Sequence, residues 1–259
     1  MYVVMESAKT IKLDNNYYFK ILNDINEISN TKDNTIVDVN NVNTNKILKQ
    51  QKVLFKIDFV NLQVNEYKKI LNKLLSLKEK IVKKKIEIGN KEENDILLGY
   101  IVSFDKNNKL QNEFISAINA IFYDTKYERY NYIYDTVCDY LDSFFYGKNL
   151  CEFKNNKCGE KRNTNITIGC CRHYKNKLLG PLLSNNFVPC EHLKEDYTCG
   201  AKCIGCKLFT CDYLQKKGVR FRIKDILLLD VFFNPLQKYF IKTMVFTPKD
   251  KIIKRLIKL

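Results

Sequence analysis

Ten cysteines and two histidines are confined to one part of the 259-residue chain. Every cysteine lies between Cys138 and Cys211, and both His173 and His192 lie among them. Cysteines that serve only as small apolar core residues would be scattered along the chain. Thiolate and imidazole groups are the ligands that suit zinc and iron–sulfur clusters. The confinement therefore predicts a metal site in this segment.

The cysteine spacing matches none of the common metal-binding signatures. Cys203 and Cys206 form the only C-x2-C pair, a tight turn that can place two sulfur atoms on one ion. A structural zinc site normally has two such pairs, and the chain also lacks the bacterial ferredoxin run. A disulfide framework is the weaker alternative, because disulfides are rare in the reducing cytoplasm that we expect for this chain.

Four features occur in order within residues 158–211. They are Cys170-Cys171 after Gly169, Cys190-x2-Leu193, Cys199, and Cys206-Lys207-Leu208-Phe209 followed by Cys211. In this order they resemble the YkgJ-type cysteine-cluster family, described as zinc- or iron-chelating domains. The chain departs from the family pattern where Lys202-Cys203 replaces Arg-Pro, and where Cys158 stands alone in place of two cysteines.

The resemblance implies a metal-chelating role for a defined set of cysteines. The candidate ligands are Cys158, Cys170, Cys171, Cys190, Cys199, Cys206 and Cys211, to which the spacing adds Cys203. Eight sulfur atoms exceed the four ligands of one tetrahedral ion, so they suit two zinc ions, or one iron–sulfur cluster with spare thiols. His173 and His192 are candidates either for ligation or for hydrogen bonds to the ligands. The predicted cofactor is zinc or iron.

Hydrophobic periodicity predicts a helix-rich α+β chain with a loop-rich cysteine segment flanked by helices. Three regions are expected: an amino-terminal α+β domain over residues 1–137 whose role is open, the cysteine-cluster metal-binding segment over 138–214, and a basic helical segment over 215–259. Predicted strands cover 17–22 and 53–57 around a polar loop at 30–45. Predicted helices cover 67–81, 111–122, 127–146, 223–233 and 236–245, followed by a last helix with Thr247 as N-cap and Pro248 at its first position.

The net charge of +15 is concentrated near the carboxyl end, where residues 214–259 carry twelve Lys and Arg against three Asp. Such a basic segment predicts nucleic acid or an anionic surface as a partner. The amino terminus lacks the basic and apolar regions of a signal peptide, and no apolar run is long enough to span a bilayer. We therefore expect a cytoplasmic protein without a transmembrane span.

Function classes are narrowed mainly by missing motifs. The sequence has no G-x-S-x-G, H-E-x-x-H or P-loop motif, so hydrolytic chemistry is disfavoured, and whether the chain is an enzyme stays open. A cysteine-cluster metalloprotein without catalysis is the favoured interpretation. The alternatives are a zinc-stapled nucleic-acid-binding module and an iron–sulfur enzyme. Cys199, Cys203 and Cys206 have the spacing of the radical S-adenosylmethionine signature, but no alternating strands and helices follow them.

Overall fold

The computed structural model of the chain divides into two compact units, Met1–Thr125 and Lys126–Leu259. The structure describes residues 9–14, 17–22, 36–38, 54–59, 62–88, 97–102, 105, 107–152, 174–175, 187–188, 190–192, 194 and 199–259. The predicted helix-rich character is confirmed. No helix in these ranges is both long and apolar enough to cross a membrane.

The strands of the first unit form one five-stranded sheet in the order β1-β2-β5-β4-β3. They are β1 (Lys9–Asp14), β2 (Tyr17–Leu22), β3 (Ile36–Asp38), β4 (Leu54–Asp58) and β5 (Leu97–Val102). β1 and β2 pair antiparallel, whereas the other neighbours pair in parallel. Parallel neighbours need a long crossover connection. Helix α1 (Val64–Ile88) lies in the crossover from β4 to β5.

The core of the first unit is apolar and aromatic. Along α1, Tyr67, Ile70 and Leu74 recur at the spacing of one helix face and are all buried. The second helix, α2 (Lys109–Ile121), begins after Asn108, whose side chain accepts hydrogen bonds from two backbone amides of the first turn. From α2, the ring of Phe114 lies 4.9 Å from that of Tyr67.

Among the described residues of this unit, Lys78 of α1 is a cation with a buried side chain, and it lies on the same helix face as Leu74. Its Nζ donates to the carbonyl oxygens of Ile121 at 3.0 Å and Tyr123 at 2.9 Å. Carbonyl groups at a helix carboxyl end have no partner within the helix, and cations there are favoured by the helix dipole. Lys78 therefore caps the end of α2.

The second unit is organised around α3 (Lys126–Gly147). One stripe of this helix is buried and consists of Tyr130, Ile133, Tyr134, Val137, Cys138 and Leu141. The other elements are β6 (Tyr174–Lys175) paired with β7 (Phe187–Val188), α4 (Ile204–Lys207), α5 (Asp212–Lys216), a 3-10 turn (Ile223–Asp225), α6 (Leu227–Phe232), α7 (Pro235–Thr243) and α8 (Lys249–Leu256). Helix α3 contacts α4, α6 and α8.

Two predicted helix starts near the carboxyl end have different outcomes. Helix α7 begins after Asn234, whose side chain accepts from the Gln237 amide at 2.8 Å, with Pro235 at the first position. The predicted N-cap of α8 at Thr247 is wrong. Pro248 is the N-cap, because its carbonyl oxygen accepts the first helical hydrogen bonds, and the helix begins at Lys249.

Candidate metal centre

Four of the eight predicted ligands line one cavity in the second unit. The lining residues are Cys190, His192, Cys199, Ala201, Cys203, Cys206, Lys207 and Phe246. The cavity has a volume of about 50 Å³. A cavity of about 10–15 Å³ already holds a water molecule, so this one has room for a metal ion. Cys190 and Cys206, which are 16 positions apart in the chain, thus line the same cavity.

Of the other four predicted ligands, only Cys211 lies among the described residues. Cys211 is half-buried at the N-cap of α5 and does not line the cavity. Cys158, Cys170 and Cys171 lie outside the described residues, and so does His173. The structure therefore gives no geometry for Cys158, Cys170 and Cys171.

Two cysteines outside the predicted set are also described. Cys138 is fully buried on α3, and its Sγ donates to the carbonyl oxygen of Lys202 at 3.3 Å. Cys151 is half-buried just beyond the carboxyl end of α3. No disulfide joins any two of the seven described cysteines, so the disulfide alternative does not hold among them.

The C-x2-C turn, Cys203–Cys206, is shaped by a left-handed residue and a close helix contact. Lys202 has φ of +48°, and its turn leads into the short helix α4, for which Cys203 is the N-cap. Within α4, a Cβ atom on Gly205 would lie 2.7 Å from the carbonyl oxygen of Ile241 and 2.8 Å from that of Met244. Only glycine allows this approach, so α4 packs directly against the backbone at the end of α7.

The segment that follows α7 supplies polar backbone groups to both sulfur atoms of the turn. The amide of Phe246, a residue with φ of +53°, donates to Cys206 Sγ at 3.0 Å. Cys203 Sγ lies 3.2 Å from the carbonyl oxygen of Met244. Hydrogen bonds donated to ligand sulfur atoms orient and tune metal sites, so the Phe246 amide is a group of the kind that a thiolate centre uses.

The two thiols of the C-x2-C turn shift each other's pKa in opposite directions. The hydrogen bond from Cys206 is the largest cause that lowers the pKa of Cys203 to about 6, and backbone amides of Thr247, Cys206 and Phe246 add to it against the effect of burial. The same contact with Cys203, together with burial, raises the pKa of Cys206. The contact between the two thiols thus favours the charged form at Cys203 over that at Cys206, and a thiolate is the form that binds metal.

Cys199 interacts electrostatically with the other thiols of the region. Burial is the main cause that raises the pKa of Cys138 and of Cys190, and the nearby Cys199 raises both further. It also raises the pKa of Cys206. Like charges that oppose one another in a confined space are relieved when a cation binds between them.

Tyr134 contributes a hydroxyl group next to this cluster. Its side chain is fully buried on α3, and its hydroxyl oxygen has no hydrogen-bond partner within the part of the chain that the structure describes. Burial raises the pKa of this phenol, and the neighbouring Cys203 and Cys138 raise it further. A buried hydroxyl without a partner costs about 1–3 kcal/mol, so an anionic acceptor nearby would stabilise it.

An acidic face of α3, formed by Asp135, Asp139 and Asp142, holds the lysines on either side of the C-x2-C turn. Lys202 Nζ lies 2.7 Å from a carboxylate oxygen of Asp135 and 3.7 Å from one of Asp139. On the other side of the turn, the largely buried Lys207 pairs with Asp142. Sequence reasoning missed these carboxylates, although their i, i+4, i+7 spacing marks one helix face.

Asp135 also pairs with Lys249 at the start of α8, at 3.0 Å. Burial by itself raises the pKa of this carboxyl group, but hydrogen bonds from Lys202 and Lys249 outweigh it, and the pKa lies below its ordinary value. The charged carboxylate thus connects α3 to both the C-x2-C turn and α8.

Thiol and imidazole groups, which are metal ligands, line the cavity, but its described residues are not arranged as in a preformed metal site. In the part of the chain that the structure describes, no three Cys, His, Asp or Glu side chains have the arrangement of a preformed metal site. The sulfur atoms of Cys203 and Cys206 are instead engaged in the hydrogen bonds given above. Metal ligation by cysteine requires loss of the thiol proton, which frees the sulfur atom from its acceptor.

Comparison with known proteins gives no match to the chain. No family model matches it, and neither a curated protein nor a solved structure does. The resemblance to the YkgJ-type family therefore depends on the cysteine pattern alone.

Proposed function

We propose that this protein is a metal-binding cysteine-cluster protein, with Cys190, Cys199, Cys203 and Cys206 as the ligands of one zinc or iron centre. The observation that supports it is the single cavity that these four side chains line together with His192. Four thiolates satisfy the tetrahedral preference of zinc, and they are also the usual ligands of iron–sulfur clusters. His192 either replaces one thiolate or hydrogen-bonds to one.

The surrounding groups suit a centre of negative sulfur atoms. The Phe246 amide already donates to Cys206, and the Tyr134 hydroxyl stands available to a thiolate of the cluster. Lys207 lines the same cavity and brings a positive charge. When bound, the metal would supply cross-links between residues 190–206, a stretch whose described part has few buried apolar side chains.

The predictions for the second ion, the fold class and the cellular location are part of the same proposal. Cys158, Cys170, Cys171 and Cys211 are left for a second zinc ion, or as spare thiols beside an iron–sulfur cluster. The chain is proposed to have α+β architecture, with the sheet of the first unit as support. A cytoplasmic location accords with free thiols at the described cysteines. We assign no catalytic reaction to the centre.

Metal analysis of protein purified without oxygen tests the proposal. Elemental analysis should find zinc or iron bound to the chain. A visible absorption spectrum with acid-labile sulfide would identify an iron–sulfur cluster, whereas a colourless zinc protein should develop thiolate-to-metal absorption on replacement of zinc by cobalt. The variants Cys190→Ser and Cys199→Ser should each lower the metal content and weaken that absorption.

Cys151→Ser is the matched control for Cys199→Ser, because both side chains are half-buried and Cys151 does not line the cavity. It should retain the metal content of the unaltered chain. Cys211→Ser tests separately whether Cys211 binds the proposed second ion. The proposal fails if the purified chain binds no metal, or if Cys151→Ser and Cys190→Ser lose metal equally.

A further inference from the structure

Positive charge in the second unit falls into two groups that differ in their partners. Lysines near the acidic face of α3 are paired: Lys202, Lys207 and Lys249 all contact its carboxylates. On α6 and α7, Asp230 pairs with Lys238 at 2.7 Å. Asp135, Asp139, Asp142 and Asp230 are thus occupied by these lysines.

A second group of cations is exposed and forms no ion pair among the described residues. We call it the basic face, and its members are Lys242, Lys251, Lys254, Arg255 and Lys258. Positions 251, 254 and 255 of α8 follow the i, i+3, i+4 spacing of one helix face, and Lys258 lies just beyond the helix at i+7. Their charges therefore reinforce one another on one side of that helix.

Apolar and aromatic side chains are exposed on α7 alongside this charge. Tyr239 is 66% exposed and Leu236 is 58% exposed, and Tyr239 lies three residues from both Leu236 and Lys242 along α7. Val245, just beyond the helix, is 43% exposed. An aromatic ring left this open beside unpaired cations is a feature of binding surfaces rather than of a core.

The two helices present these groups on adjoining surfaces. Helices α7 and α8 are in contact. Arg255 of the basic face reaches across, with Nη1 4.0 Å from Sδ of Met244 at the carboxyl end of α7. Tyr239 and Lys242 lie on the last two turns of the same helix.

We propose that the α7–α8 surface binds single-stranded nucleic acid, with the basic face contacting phosphates and Tyr239 stacking on a base. Phosphate contacts by Lys and Arg with base stacking on exposed aromatic rings are the features of sequence-tolerant single-strand binding. A membrane surface fits less well. Lipid binding by an amphipathic helix needs its apolar face, and Ile252, Ile253 and Leu256 of α8 are buried inside the unit. The proposal does not depend on which metal the cavity holds.

Fluorescence anisotropy with the full-length chain and short labelled single-stranded RNA and DNA oligonucleotides tests this surface over a series of salt concentrations. Tyr239→Ala should weaken binding about tenfold, as expected for one lost stacking contact, with little change in salt dependence. The double variant Lys251→Gln/Arg255→Gln should reduce the slope of log K against log salt by about 1.4, since each single-strand phosphate contact contributes about 0.7.

The charge-matched control is Lys216→Gln/Lys224→Gln, which removes two exposed lysines away from α7 and α8. Circular dichroism should show that all variants are folded. An equal loss of affinity in the control would mean that diffuse charge alone is responsible and would overturn the proposal. Unchanged binding by Tyr239→Ala, tighter binding to a duplex of the same sequence, or preferential binding to phosphatidylserine vesicles would overturn it too.

Discussion

The two units of this molecule achieve stability in different ways. The first has an apolar core, in which Phe59, Tyr67 and Phe114 form mutual ring contacts at 4.9–5.7 Å. Around the C-x2-C turn of the second, the groups that hold the chain are thiols, backbone amides and lysine–carboxylate pairs. Polar groups of this kind contribute little unless they are fully paired. We therefore expect the first unit to be stable without a ligand, and the cysteine region to depend on the proposed metal.

The largest expected effect that separates the two units is metal removal. Structural zinc contributes about 10–16 kcal/mol to folding in zinc-finger peptides, so chelation should unfold the cysteine region selectively. Hydrogen exchange measured by mass spectrometry should show lost protection over residues 199–217 after chelation. Protection of α1 and α2 should not change. Equal loss in both units, or no loss in either, would remove the distinction.

A core substitution should show the opposite pattern. Phe114→Ala deletes a fully buried ring that contacts Phe59 and Tyr67. We expect a loss of about 3–5 kcal/mol in the free energy of unfolding of the first unit. Urea unfolding followed by hydrogen exchange in α1 measures it. Metal content per chain should stay unchanged, and a coincident loss of metal would contradict the proposed independence of the two cores.

The helices of both units were largely predictable from sequence, because buried apolar stripes repeat at helical spacing. The stripe at Tyr67, Ile70 and Leu74 places α1, and Asn108 and Asn234 mark helix starts by their side-chain chemistry. Helix ends are less well predicted. The last helix starts one residue later than predicted, because a proline carbonyl and not a threonine side chain caps it.

The candidate site was predictable in its ligand types but not in its composition. Confinement of the cysteines to 138–211 indicated chelation, yet spacing could not select which of eight would share a cavity. That selection depends on a contact between distant parts of the chain, namely the Phe246 amide on Cys206. Strand β3 illustrates the same limit, since Ile36–Asp38 lies in a stretch whose polar composition predicts a loop, and it pairs with β4.

An intermediate effect is expected where α4 touches the backbone of α7. Gly205→Ala places a Cβ atom against two carbonyl oxygens of residues 241 and 244, and backbone atoms cannot easily move aside. We expect a loss of about 1–3 kcal/mol in the unfolding free energy of the second unit, with weaker metal retention in a competition assay against a chelator. Gly147→Ala is the matched control. A Cβ atom there meets nothing within 4 Å, so that variant should be neutral or slightly stabilising.

The smallest expected effect comes from the carboxylate that connects α3 to the C-x2-C turn. Asp135→Asn removes the charged partner of Lys202 and Lys249. Its side chain is 39% exposed, so solvent screening limits the expected loss to about 1 kcal/mol or less. Because the folded-state pKa of Asp135 lies below its ordinary value of 3.8, this contribution is present above that pH and is lost as the pH falls through the folded pKa.

The difference in thermal stability between Asp135→Asn and the unaltered chain should therefore be largest near neutral pH and should shrink in acid. Asp225→Asn is the control, since Asp225 pairs with Arg222 on the surface and its pKa is lowered mainly by that hydrogen bond. Both variants remove one acid-labile ion pair, but only Asp135→Asn should increase hydrogen exchange at the amides of residues 203–207. If both variants increase it equally, the acidic face of α3 does not hold the C-x2-C turn, and the thiols there are positioned by α7 alone.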